Sequence, residues 1–163
     1  IVDQGLTASL AATAIVVIAA ANGFGAWFAG WAGGVYRKRY LLSGIYGGRA
    51  LLFLVLISVP LSPLVMLVLS VGIGLLWLGT VPLTSGLVAD MFGPRYMATL
   101  YSFVFLSHQL GSFTGVWLGG RIYDATGSYQ IVWWLTIALG IAASVIHLPI
   151  DDRPVPRLVA NRA

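Results

Sequence analysis

The chain of 163 residues carries nine Lys or Arg and five Asp or Glu, and 59 % of it is hydrophobic. A soluble domain is about a quarter charged and a disordered chain is poor in apolar residues, so a charged fraction of 9 % excludes both classes. The net charge of +4 does not point to nucleic acid, which needs a dense basic patch on an exposed face, and the absence of cysteine excludes disulfides, thiolate nucleophiles and cysteine-ligated metals.

Residues 4–36, 50–89, 96–120 and 125–150 hold no formal charge. A lipid crossing takes about 20 apolar residues, and stretches this long cannot all hide in one small core. The expected fold class is all-α, a multi-pass transmembrane helical bundle with five spans, and the lipid bilayer is its first partner.

The first span is expected over residues 6–33, from Leu6 to just before the basic cluster Arg37, Lys38, Arg39. Within it Asn22 shares a face with Ala26, Ala29 and Gly33, a small-residue stripe that lets another helix come close. An interhelical hydrogen bond is the favoured role for Asn22, and a place in a substrate site is the alternative. The second span, residues 41–59, stops at Pro60, Leu61, Ser62 and Pro63, which suit a tight turn. A competing parse runs one span through both prolines over residues 50–70, but it leaves no turn before the next. Arg49 lies inside the second span. It is either a counter-charge that grips a carboxylate through two parallel hydrogen bonds or a side chain that snorkels to the interface.

The third span, residues 64–89, contains Gly72, Gly74, Gly79, Pro82, Thr84 and Ser85. Pro82 predicts a bend whose freed carbonyls are taken by neighbours or by water, which suits a moving gate. The span ends at Asp90, Met91, Phe92, Gly93, Pro94, Arg95. The fourth span, residues 97–120, has His108 twelfth among its 24 residues, close to mid-bilayer. Tyr101, His108, Ser112 and Gly115 fall on roughly one face, so the imidazole is expected to point into the bundle. Gln109 sits about 100° away. Gly111, Gly115 and Gly119, spaced by four, predict close packing against another helix. The fifth span, residues 129–149, places Trp133 and Trp134 as interfacial anchors and His147 near the opposite interface. Residues 151–163 form a polar tail.

Lys and Arg are retained on the cytoplasmic side of short loops. Five crossings put Arg37, Lys38, Arg39, Arg95, Arg153, Arg157 and Arg162 on one side and leave Arg121 on the other. The chain is therefore expected to begin outside and to end in the cytoplasm. It opens with Ile1, and at least one further span is expected upstream.

An ionisable group at mid-bilayer is expensive unless it faces protein or water. His108 is thus a candidate for binding an anion or carrying a proton, since an unperturbed imidazole titrates near physiological pH. The alternative is a neutral imidazole hydrogen-bonded to a neighbouring helix. There is no phosphate-binding loop, no His-Glu helix pair and no paired intramembrane carboxylates, so neither an enzyme nor a cofactor is expected.

The segment Gly30-Trp-Ala-Gly-Gly-Val-Tyr-Arg-Lys-Arg39 resembles the cytoplasmic loop signature of the major facilitator superfamily, with Gly30, Lys38 and Arg39 in register. Gly34 and Arg37 replace that signature's usual Asp and Gly. The stretch from Pro82 through Asp90 and Arg95, on through Ser107-His-Gln-Leu-Gly111 to Tyr129, resembles bacterial relatives of the monocarboxylate and oxalate/formate transporters. The resemblance implies helices eight to twelve of a twelve-helix secondary transporter in the bacterial inner membrane, completed by an N-terminal half of the same protein. It also implies that His108 contacts a small organic anion, with protons as the candidate co-substrate. The second basic residue of that group has no counterpart between Leu6 and Val35. The alternative is a non-transporting membrane scaffold or assembly partner.

Overall fold

The computed structural model describes residues 7–155. Leu6, the expected start of the first span, and Arg157 and Arg162 of the tail lie outside the described residues. Six α-helices and no strand occur among the described residues: α1 (Ala8–Val35), α2 (Lys38–Ser58), α3 (Pro63–Trp77), α4 (Thr80–Phe92), α5 (Pro94–Thr126) and α6 (Gln130–His147). The fold class is the all-α multi-pass bundle read from composition. Helices α1, α2, α6 and the consecutive pair α3 and α4, taken as Pro63–Phe92, are long and apolar enough to cross a membrane.

Local chemistry sets the boundaries. Thr7 and Ser62 cap α1 and α3 by accepting the backbone N–H of Leu10 and Val65, and Pro63 starts α3 where its missing N–H costs nothing. Gly93 adopts φ 82° between α4 and α5, a conformation open to glycine and strained for other residues. Pro94 then begins α5.

The third expected span is broken. Pro82 cannot donate to Leu78 O four residues back, and its ring crowds that carbonyl. Leu78 closes α3 instead, the Val81 N–H turns to Leu78 O at 3.0 Å, and α4 resumes at Thr80. The expected bend exists, but it lies a turn before the proline, because the carbonyl deprived of a partner is the one at i−4.

Two helix pairs form the body, α1 with α3 and α2 with α6, while α4 packs on α1, α2 and α5. In the first pair, backbones touch: a Cβ on Gly25 would lie 2.1 Å from Leu75 O, and one on Gly74 would lie 2.5 Å from Ile18 O. In the second, Ser144 donates to Ser43 O at 2.8 Å, Gly140 lies against Ala50, and Trp133 stacks on Phe53 with centroids 5.6 Å apart. His147 stacks on Tyr46 at 5.1 Å. Trp133 and His147 thus pack within the α2–α6 pair, while Trp134 is exposed. The tightest cluster, Ala29, Leu42, Leu83 and Leu87, joins α1, α2 and α4 near the Lys38 end.

Candidate functional site

Helix α5 is the longest, at 33 residues, and among the long helical segments it alone falls short of the apolarity that marks the four spans. His108 lies near its middle, about 21 Å from Pro94 and about 27 Å from Thr126 at 1.5 Å per residue. Met97, Tyr101, His108, Gly115, Gly119 and Ile122 recur within about 60° of one another, forming one stripe. At its ends the stripe is covered: Met97 and Tyr101 are half-buried, Gly119 is buried and Ile122 is half-buried. Between Ser102 and Leu118 every residue is exposed.

Among the described residues His108 is exposed and is not enclosed by its neighbours. Its face is the one that touches α4 at one end and α6 at the other, but α5 meets these neighbours only near the two connecting turns and leaves its centre open. Among the described residues the three glycines divide in the same way. Gly119 has Val132 of α6 at 4.0 Å from its built Cβ, whereas Gly111 and Gly115 face open space. An aromatic ladder links the expected pair, with Tyr101 and Phe105 centroids 6.5 Å apart and Phe105 and His108 6.2 Å apart. The hydroxyls of Ser102, Ser107 and Thr114 turn back to carbonyls of their own helix. Neither the His108 imidazole nor the Gln109 amide has a hydrogen-bond partner among the described residues.

Arg49 and Asn22 converge elsewhere, at the break between α3 and α4. Arg49 donates from Nε to Leu76 O at 2.9 Å and from Nη2 to Leu76 O at 2.5 Å, and Nη2 also reaches Trp77 O. Its guanidinium carbon lies 5.3 Å from the Tyr46 ring centroid. Asn22 Oδ1 accepts the Leu78 N–H at 2.9 Å, which is the interhelical bond favoured from sequence. The carbonyls and N–H left over at the end of α3 are therefore taken by side chains of α1 and α2, and Arg49 does not snorkel. Arg49 and His108 sit on separate elements, α2 and α5.

The loop-signature residues gather at one end of the bundle. Lys38 Nζ lies 2.5 Å from Asp90 Oδ2, its stem running over Gly86 and Gly33. Arg39 donates to Ile150 O at 2.8 Å and to the Tyr40 hydroxyl at 3.0 Å, with Asp152 at 4.0 Å. The Val155 N–H donates to Met91 O at 2.9 Å. Gly30 and Arg95 are exposed, and Arg95 touches only its neighbour Tyr96 within this cluster of interactions. No group of His and carboxylates suited to a metal ion occurs among the described residues.

With that geometry in place, comparison with known proteins gives two findings. The family profile described as Major Facilitator Superfamily matches residues 1–163. The uncharacterized MFS-type transporter YcxA of Bacillus subtilis (strain 168) is 24 % identical over 128 residues, covering 69 % of this chain and 31 % of the relative. The chain thus spans about a third of the length of that curated relative. No solved structure matches.

Proposed function

The chain belongs to the Major Facilitator Superfamily, and from that membership we propose that it forms part of a secondary transporter working by alternating access. The substrate in this reading is a small organic anion of the monocarboxylate kind, moved together with a proton. The membrane is the bacterial inner membrane, with the end that holds Lys38, Arg39, Asp90 and the tail in the cytoplasm. The seven remaining helices of the transporter complete the cavity, and the chain corresponds to helices eight to twelve.

The observation that carries this reading is the centre of α5. His108 and Gln109 sit midway along a helix of membrane length, unbonded among the described residues, on a stretch left open between two covered ends. Polar groups at that depth need water, substrate or another helix as partners, and a cavity supplies the first two. His108 is the central substrate and proton ligand in this reading. Tyr101 and Gln109 flank it, while Arg49 and Asn22 act at the α3–α4 break and Pro82 makes that break possible.

Uptake of radiolabelled formate, lactate and oxalate into proteoliposomes containing the complete transporter tests the reading. An imposed inward pH gradient should stimulate uptake of at least one of them, and His108→Ala should abolish that stimulation. Normal, still proton-dependent uptake by His108→Ala removes the histidine from its role. One observation favours the second reading, a membrane scaffold: Gly111 and Gly115 present an unfilled small-residue face to which another helix can dock. In that case no anion accumulates at all.

A further inference from the structure

Arg49 makes a polar tie between the two helix pairs at mid-depth, apart from the apolar cluster that joins α1 and α2 through α4 nearer the Lys38 end. The α1–α3 pair is held by backbone contact at Gly25 and Gly74, so α3 cannot slide along α1 without separating from it. The α2–α6 pair is held by Ser43 with Ser144, Gly140 with Ala50 and two aromatic stacks. Between the pairs, α2 meets α3 through the apolar ends of Leu76 over Gly48 and Leu52 over Gly72, contacts that can slip. The polar tie is the Arg49 guanidinium on the last carbonyls of α3.

Among the described residues no carboxylate pairs with that guanidinium. Among the described carboxylates, Asp90 pairs with Lys38, Asp151 with Arg153, and Asp152 lies by Arg39, while Asp124 belongs to the far end of α5. The C-terminal dipole of α3 offers only partial negative charge, and a cation within a membrane helix is costly without an anion. Nε and Nη2, the two nitrogens now bonded to carbonyls, form one of the guanidinium edges that bind a carboxylate through parallel hydrogen bonds. Charge-assisted bonds of that kind are about twice as strong as bonds to neutral acceptors.

We propose that Arg49 is a substrate-released latch, its guanidinium passing from the carbonyls of Leu76 and Trp77 to the carboxylate of a small organic anion and so freeing the α1–α3 pair to move against the α2–α6 pair. Loss of those bonds leaves the α3 C-terminus unsatisfied, and the break at Leu78 and Gly79 is where the movement is taken up. Asn22 holds the opposite side of the break to α1 throughout. This inference rests on the small-anion reading above.

The chain has no cysteine, so Leu78→Cys places a single thiol in it at the break, on an exposed residue. The experiment measures its rate of labelling by N-ethylmaleimide in the complete transporter in liposomes, with formate, lactate, oxalate or chloride, beside equilibrium binding of the same radiolabelled anions. The expected result is several-fold faster labelling with a carboxylate that binds than with chloride. Arg49→Gln in the same background should label at the fast rate with no response to anion. If Arg49→Gln does not fold, Arg49→Lys, which keeps the charge without the forked edge, should label faster than the parent in chloride. A carboxylate that binds without changing the labelling rate, or substituted proteins that label like the parent, overturns the latch and leaves the anion reading standing. Binding of none of the three carboxylates overturns both.

Discussion

Lys38 and Asp90, at the start of α2 and near the end of α4, form an ion pair at 2.5 Å whose lysine stem crosses the bare backbone of Gly86. A Cβ at residue 86 would lie 2.7 Å from Lys38 Cε, so even alanine pushes the stem aside. Asp90 is 53 % exposed in its side chain, and a pair of this kind contributes up to about 1 kcal/mol. Asp90→Asn and Gly86→Ala should therefore lower the thermal midpoint by similar small amounts. In a Lys38→Ala background neither should have a further effect, as a double-mutant cycle in detergent will show.

The glycines of α1 give a sharper contrast. Gly25→Ala drives a methyl into Leu75 O, which lies 2.1 Å from the built Cβ, whereas Gly23 two residues earlier has nothing within 4 Å. Backbone cannot step aside as a side chain end does, so Gly25→Ala should destabilise by about 3 kcal/mol, at the upper end of overpacking costs. Gly23→Ala should be neutral or stabilising by about 0.5–1 kcal/mol through helix propensity. Chemical denaturation of the two variants in the same micelle distinguishes them.

Pro82→Ala restores an N–H in reach of Leu78 O and allows α3 and α4 to join into one helix. A continuous helix withdraws the carbonyls that Arg49 now holds. Turnover should slow by more than substrate binding weakens, and unchanged kinetics in proteoliposomes would remove the break from the transport cycle.

On α5, Gly115→Ala should be tolerated, because a Cβ there meets nothing within 4 Å and the helix gains up to about 1 kcal/mol. A thermal midpoint that falls instead would place another helix on this face and favour the scaffold reading.

The spans were legible because lipid imposes long apolar stretches, and the breaks at Arg37–Arg39, Pro60, Asp90 and Arg121 divide the chain into five of them. Asn22 was legible as well, since a lone amide on a small-residue face has few partners other than a neighbouring helix. The break was half legible: Pro82 announces it, but its position follows from which carbonyl loses a donor. The partners Arg49 holds here were not legible, because they are backbone atoms and carbonyls leave no mark in a residue string. The closest glycine contacts were hidden for a related reason. Spacing by four on α5 looks like a packing face, yet the close backbone contacts fall at Gly25 and Gly74, whose partners lie on helices about 50 residues away in sequence. Exposure of His108 was not legible at all, since periodicity reports which face a residue shares and not whether a neighbour reaches that far along it.

Arg39 joins Ile150, 111 positions further along the chain, and Val155 then reaches Met91. Contacts so distant in sequence are made late, after the loop entropy of everything between has been overcome. During synthesis the polar end of α2 and α4 consequently stays unsealed until α6 has left the ribosome and entered the bilayer. A chain terminated before Ile150 would lack the fastening that completes that end.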